Sequence, residues 1–145
     1  MKTNLTCLFV LLFCAATFAQ NNDELIAACI KGNFDAIKKN VDGGGNVNYK
    51  NGQGQTPLSL VYLHPNITEY LISKGADVNG GDSPALVSPA RFYSVDVMKM
   101  LLKAGADPNA ASGEGETVLM AAARTGSPEA IQLLLKGGAD PNAAE

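Results

Sequence analysis

Gly75-Ala76-Asp77-Val78-Asn79 (GADVN) is one of four similar strings that recur along the chain at a nearly constant period. The others are GGNVN ending at Asn48, GADPN ending at Asn109 and a second GADPN ending at Asn142. The closing asparagines are 31, 30 and 33 residues apart. Self-similarity at such a period is typical of stacked supersecondary units, each of which needs its neighbours to cover its apolar face.

A second set of residues recurs between these strings and indicates where helices begin and end. Thr56-Pro57-Leu58 and Thr117-Val118-Leu119 each place a threonine where a helix needs an N-cap, and Pro84-Ala85-Leu86 is a degraded copy. The glycines of the recurring strings suit the left-handed residue that ends a helix; they are Gly75, Gly105 and Gly138. Each unit is therefore predicted to run helix, turn, helix, hairpin.

With these residues aligned, the chain resembles the ankyrin-repeat family over nearly all of residues 22–145. The resemblance implies an all-α repeat solenoid of about four helix-turn-helix-hairpin repeats. Their approximate limits are 22–48, 49–79, 80–109 and 110–142, with the start of a further hairpin up to residue 145.

The irregular spacing is explained by two local deletions. The middle hairpin, Gly80-Gly81-Asp82, is shorter than the other two, and the second repeat lacks two residues around His64-Pro65-Asn66. The two ends of the array also differ. Lys39-Asn40-Val41 predicts a polar cap at the first repeat, whereas Leu133-Leu134-Leu135 predicts an apolar end that is uncovered unless the chain is truncated, self-associates or is covered by a partner.

Residues 1–19 have the pattern of a secretory signal peptide. Lys2 precedes an apolar run at 5–16, and Thr17-Phe18-Ala19 offers small residues for cleavage, so that the mature domain is 20–145. An apolar run of about 15 residues is shorter than the roughly 20 that a bilayer requires. We therefore expect export, to the periplasm or the medium, and no membrane span in the mature chain.

Charge and residue inventory exclude several classes of function. The net charge is −3, and it becomes −4 without Lys2, which argues against general nucleic-acid binding. His64 is the only histidine, and no metal, nucleophile or phosphate-loop motif occurs, so we predict no enzyme, no metal and no cofactor. Cys29 aligns with a small buried position and is expected to be an inert core thiol. Glu114 and Glu116 are expected at a solvated hairpin tip.

The family resemblance also implies where a protein partner would bind: at hairpin positions and at the two residues after the alanine pair of each first helix. In this chain the hairpin positions are Tyr49, Lys50, Gln53, Gln55, Glu114 and Glu116. The helix-end positions are Ile30, Lys31, Leu63, His64, Arg91, Phe92, Arg124 and Thr125.

The only two arginines, Arg91 and Arg124, fall at the same repeat position, which suggests a locally basic groove. The hypothesis is that an acidic segment of a partner docks there, with Phe92 as an anchor. The alternative is that both arginines are simply solvated.

The predicted function is a non-enzymatic protein-binding scaffold that acts outside the cytoplasm as an adaptor or as an inhibitor of the immunity type. The competing interpretation is a structural or assembly role, in which the apolar C-terminal end mediates self-association or docking.

Overall fold

The structure is a computed structural model that describes residues 21–143 and divides into two compact units, one up to Asn46 and one from Val47 onward. The predicted signal peptide at residues 1–19 lies outside the described residues. Between residues 21 and 143 no helix combines the length and the apolar character needed to cross a bilayer.

Helices account for the regular structure of residues 21–143, which contain no strand and one isolated antiparallel bridge between Ala111 and Thr117. This confirms the all-α prediction. In the first unit, α1 covers 21–30 and α2 is Phe34–Asp42. In the second unit the helices are α3 (Pro57–Leu60), α4 (Pro65–Ser73), α5 (Val87–Arg91), α6 (Val95–Lys103), α7 (Val118–Thr125) and α8 (Pro128–Lys136).

The first unit is a single helix pair with a buried apolar side. Leu25 of α1 and Ile37 of α2 are fully buried, and Asn33 caps α2 by accepting a hydrogen bond from the Ala36 N–H at 3.1 Å. The predicted polar cap is wrong at Asn40, which is buried and donates from Nδ2 to the Ala36 carbonyl at 2.8 Å. Asn40 can occupy this position because that bond pairs one of its amide donors.

In the second unit the predicted N-caps are confirmed where threonine is present. Thr56 Oγ1 accepts from the Ser59 N–H, and Thr117 Oγ1 accepts from the Met120 N–H at 3.1 Å. The degraded copy behaves differently, because α5 begins only at Val87 and its N-cap, Leu86, makes no side-chain cap bond. The first helix of the third repeat is therefore short.

The longer helices end as their glycines predict. Gly75, Gly105 and Gly138 have φ values of +86°, +92° and +97°. In each case the glycine N–H and the next N–H return to carbonyls of the last helical turn, as in Ala76 N–H to Leu71 O at 3.0 Å. This is the Schellman motif, which satisfies carbonyls that the helix leaves unpaired.

Like helices stack on like helices in the second unit. α5 packs against α7, whereas α4 packs against α6 and α6 against α8, so that first and second helices form two adjacent layers. The core between them is made of fully buried aliphatic side chains, among them Leu71, Leu86, Met98 and Leu134. This is the stacked repeat arrangement that the period predicts.

The recurring asparagines join each repeat to the next. Asn79 Nδ2 donates to the Gly105 carbonyl at 3.0 Å, and Asn79 Oδ1 accepts from the Asp107 N–H at 2.8 Å. Asn48 and Asn109 make the same pair of bonds one repeat before and one repeat after. An amide is required here because it offers a donor and an acceptor side by side.

Both shortened segments can be located in the structure. The short middle hairpin is held to the preceding one by the Asp82 N–H, which donates to the Gly54 carbonyl at 2.9 Å. The second deletion was predicted at the inter-helix turn around His64-Pro65-Asn66. In the structure this turn covers 61–64, His64 is the N-cap of α4, and Pro65 and Asn66 already belong to α4. The helix before the turn, α3, has four residues, against eight in α7.

Candidate functional site

The two arginines at equivalent repeat positions bind the same carboxylate. Arg91 ends α5, Arg124 lies in the last turn of α7, and Glu116 directly precedes the N-cap of α7. Arg91 Nε donates to Glu116 Oε2 at 2.6 Å, Arg91 Nη2 contacts the same oxygen, and Arg124 Nη1 donates to Oε1 at 2.8 Å. We call these three residues the arginine clamp.

The three side chains of the clamp differ in their exposure to solvent. The Glu116 side chain is 12% exposed, against 39% for Arg91 and 79% for Arg124. Burial alone raises the pKa of Glu116. The hydrogen bonds from Arg91 and Arg124 and the positive charges of both arginines lower it by a larger amount, so the net shift is downward. Glu116 is thus a carboxylate at neutral pH.

An exposed aromatic pair lies next to the clamp in sequence. The rings of Tyr62 and Phe92 are stacked, with centroids 4.9 Å apart and planes inclined by 21°. Phe92 directly follows Arg91, and it is 53% exposed, while Leu63 beside Tyr62 is 55% exposed. Rings and apolar side chains held at the surface in this way retain area that a partner can cover.

Tyr93 ties the α5–α6 turn to the end of α7. Its φ of +59° is left-handed, and it occupies the turn position where the fourth repeat has Gly126, with φ of +67°. Its hydroxyl donates a hydrogen bond to the Thr125 carbonyl. A non-glycine residue in this conformation is held by its surroundings.

Two open grooves flank the clamp. The larger has a volume of about 530 Å³ and the smaller about 380 Å³. Both are lined by Glu114, Glu116 and Arg124; the larger adds Met120 and Ala123, and the smaller adds Arg91, Ala121 and Thr125. Charged and apolar groups therefore alternate over this surface.

The predicted residues of the first hairpin are largely engaged within the fold. Gln55 Oε1 accepts from Asn51 Nδ2 at 3.0 Å, and Asn51 Oδ1 accepts from the Gln55 N–H at 2.9 Å. Lys50 Nζ bonds Asp82 Oδ1 at 3.1 Å. Gln53 is exposed and Tyr49 is half-buried.

The remaining predicted residues lie at turns. His64 is half-buried at the N-cap of α4, with no cap bond from its side chain. Thr125 Oγ1 donates to the Ala122 carbonyl at 2.7 Å. In the first unit, Ile30 and Lys31 are exposed at the end of α1.

The sequence interpretation of Glu116 needs correction. We expected a solvated hairpin tip, but its carboxylate is largely buried between two guanidinium groups, while Glu114 is exposed. The predicted basic groove is for the same reason partly neutralised. A signal was present, because Glu116 immediately precedes the helix that carries Arg124 and Arg91 is at the equivalent position one repeat earlier.

The sequence reasoning also missed three exposed or half-exposed side chains of this surface: Tyr62, Tyr93 and Met120. For Tyr93 a signal existed, because the repeat alignment sets a tyrosine against a turn glycine.

Chemically reactive groups are few in the described part of the chain. Cys29 is buried, which confirms its expected core position, and this burial raises the pKa of its thiol to about 12. Within residues 21–143 no group of three or more His, Cys, Asp or Glu side chains is arranged to hold a metal ion.

Comparison with known proteins identifies the repeats. A profile of ankyrin repeats in three copies matches residues 25–112, and a profile of many ankyrin repeats matches residues 90–135. An ankyrin repeat-containing protein of Treponema pallidum (strain Nichols) is 31% identical over 103 residues, which are 67% of this chain and 35% of that protein. The E3 ubiquitin-protein ligase KEG of Arabidopsis thaliana is 37% identical over 112 residues, 70% of this chain but 7% of the ligase. The chain thus spans only a minor part of the length of these relatives.

Proposed function

Because the chain belongs to the ankyrin-repeat family, whose repeats are typically protein-binding scaffolds and not enzymes, we propose that it binds a protein partner through the surface around the arginine clamp. This surface consists of the clamp, the Tyr62–Phe92 pair and the neighbouring Leu63, Tyr93 and Met120, and we call it the clamp surface.

The observation that carries the proposal is the exposure of Phe92, which directly follows Arg91, and of Leu63, which directly follows the stacked Tyr62. More than half of the Phe92 side chain and of the Leu63 side chain is accessible to solvent, whereas Leu71 and Leu86 of the same unit are fully buried. Aromatic residues and arginine dominate the energetics of protein interfaces, because they offer large contact areas and directed hydrogen bonds.

We further propose that the protein acts outside the cytoplasm, as an adaptor or as an inhibitor of the immunity type. The support for export is the sequence pattern of residues 1–19. The support for a blocking or bridging role is that the clamp surface offers hydrogen-bonding and apolar groups but no nucleophile paired with a base.

The test is affinity purification of the tagged chain from its source cells, with variants that remove apolar surface at two different places. Phe92→Ser and Leu63→Ser alter the clamp surface, and Leu135→Ser is the matched control because Leu135 is a comparably exposed apolar residue on α8. The proposal expects a partner that is retained by the wild type and by Leu135→Ser but lost from the other two. A partner lost only from Leu135→Ser would contradict it.

A second candidate function is assembly through α8. Leu102 of α6 occupies the position that corresponds to Leu135, and its Cδ2 would lie 3.5 Å from a Cβ placed on Gly137 in the next repeat. Leu135 is the exposed counterpart of a position that packs between repeats. For this candidate, light scattering of the purified chain should show an oligomer that grows with concentration and that Leu135→Glu abolishes; a monomer at all concentrations would exclude it.

A further inference from the structure

We infer that Arg124 is the exchangeable arm of the clamp, and that it receives the carboxylate of an acidic side chain from a partner peptide segment whose neighbouring aromatic side chain packs on Tyr62 and Phe92. The inference rests on the proposed function and specifies the chemistry of the partner.

The two arms of the clamp differ in how many of their N–H donors Glu116 occupies. Arg91 places Nε and Nη2 on Glu116 Oε2, so that one edge of its guanidinium is occupied, and its side chain is 39% exposed. Arg124 places one nitrogen, Nη1, on Oε1 and is 79% exposed. A guanidinium carries five N–H donors in a planar fork, so Arg124 retains donors that solvent can reach.

The clamp already binds a carboxylate group. Glu116 shows that a carboxylate fits between these guanidinium groups. With Glu114 in the same grooves the local charges balance, so a further carboxylate would be held by the free N–H donors of Arg124 and not by surplus positive charge. A second carboxylate at the open side of Arg124 would form the charge-assisted bonds that arginine favours. Glu114 lines the same grooves, and its negative charge repels such a ligand. The ligand would therefore approach Arg124 from the side that faces away from Glu114.

A partly exposed aromatic residue follows the clamp residue Arg91 along the chain. Phe92 follows Arg91 directly in the sequence, and its ring is stacked on Tyr62 of the second repeat, so that a partly exposed aromatic face adjoins Arg91 along the chain. A segment with an aromatic residue adjacent to an acidic one can cover this face while its carboxylate reaches Arg124. The net charge of −3 disfavours a polyanion such as a nucleic acid more strongly than a segment that carries a single carboxylate.

The test uses two dipeptide probes, N-acetyl-Phe-Glu-amide and N-acetyl-Phe-Gln-amide, titrated into the ¹⁵N-labelled full chain while the arginine Nε–Hε and aromatic signals are followed by NMR. We expect the acidic probe to bind about threefold more tightly than the neutral one, as suits an exposed ion pair. It should shift the Arg124 signal more than that of Arg91. Equal affinity of the two probes for the wild type would overturn the inference.

Matched variants make the result specific. Arg124→Gln should reduce the affinity ratio of the two probes to about one, whereas Lys103→Gln, which removes the same charge in the last turn of α6, should leave it unchanged. Thermal unfolding of each variant shows that it folds. A ratio that survives Arg124→Gln would overturn the inference.

Failure of the inference can be told apart from failure of the proposed function. If the natural partner is lost from Phe92→Ser but retained by Arg124→Gln, the clamp surface binds protein and Arg124 is not the carboxylate site. If the partner is retained by Phe92→Ser, the proposed function itself fails.

Discussion

Tyr93 donates its hydroxyl hydrogen to the carbonyl oxygen of Thr125, a residue of the following repeat. Because Tyr93 has a left-handed φ of +59°, two opposing effects meet at one position. The left-handed conformation costs about 1 kcal/mol for a residue with a Cβ, and the hydrogen bond contributes about 1 kcal/mol.

Substitutions at Tyr93 should separate these effects. Tyr93→Ala removes the hydrogen bond and keeps the unfavourable φ, whereas Tyr93→Gly removes both. We expect Tyr93→Gly to be more stable than Tyr93→Ala by about 1 kcal/mol in urea unfolding, although glycine is the smaller residue. An alanine variant as stable as the glycine variant would contradict this account of the turn.

The two arms of the clamp should differ in energy. Double-mutant cycles with Arg91→Gln, Arg124→Gln and Glu116→Gln measure each pairwise coupling by urea unfolding. Because Arg91 is less exposed and makes two contacts, we expect a coupling of about 1 kcal/mol for Arg91–Glu116 and about 0.3 kcal/mol for Arg124–Glu116. A stronger coupling to Arg124 would reverse the assignment of the exchangeable arm.

The clamp should also make stability depend on acid pH. The pKa of Glu116 is lower in the folded chain than the ordinary value of about 4.3. The stabilisation is therefore complete above the ordinary pKa and is lost as the pH falls through the folded one. The difference in Tm between wild type and Glu116→Gln should be constant from about pH 7 to pH 5 and shrink below about pH 4; a difference that grows on acidification would contradict the direction of the shift.

The hydrogen bonds that the asparagines make between repeats should contribute to the free energy of unfolding although these side chains are exposed. Asn79→Ala removes two hydrogen bonds to the next repeat and should lower the free energy of unfolding by about 1–2 kcal/mol. Asn66→Ala, at an exposed position in the first turn of α4, is the control and should have a much smaller effect. Equal losses for the two variants would show that the bonds contribute nothing.

The buried glycine of the first hairpin should tolerate no side chain. Gly54 has a φ of +72°, and a Cβ there would lie 2.7 Å from the Cβ of Asp82. Gly54→Ala should cost about 2 kcal/mol or more, since steric overlap adds to the left-handed strain. At Gly113 a Cβ would meet nothing within 4 Å, so Gly113→Ala should be neutral in the same urea experiment, and similar losses would refute the packing argument.

Local chemistry made part of the fold predictable. Thr56, Thr117 and the helix-ending glycines act on backbone groups within a few residues, so their roles follow from short-range stereochemistry. The same reasoning failed at Pro84, because a damaged capping sequence does not reveal where the helix will begin instead; it begins at Val87.

Contacts between repeats were less accessible to sequence reasoning. The period revealed that Asn79 recurs, but its partners are 26 and 28 residues away and depend on how the repeats stack. Glu116 was misplaced for a similar reason, since its burial comes from Arg91, 25 residues earlier, as well as from Arg124 in its own repeat. The family resemblance indicated which surface would bind a partner. How the charges of that surface pair with one another depends on the stacking of the repeats.

Site-specific photo-crosslinking tests the central claim most directly. The tagged full chain would carry a benzophenone amino acid at Phe92 or, in a second sample, at Leu135, and would be irradiated in its source cells. The account predicts a discrete crosslinked partner protein from position 92 and none from position 135. Crosslinks to a partner from position 135, with none from position 92, would contradict it.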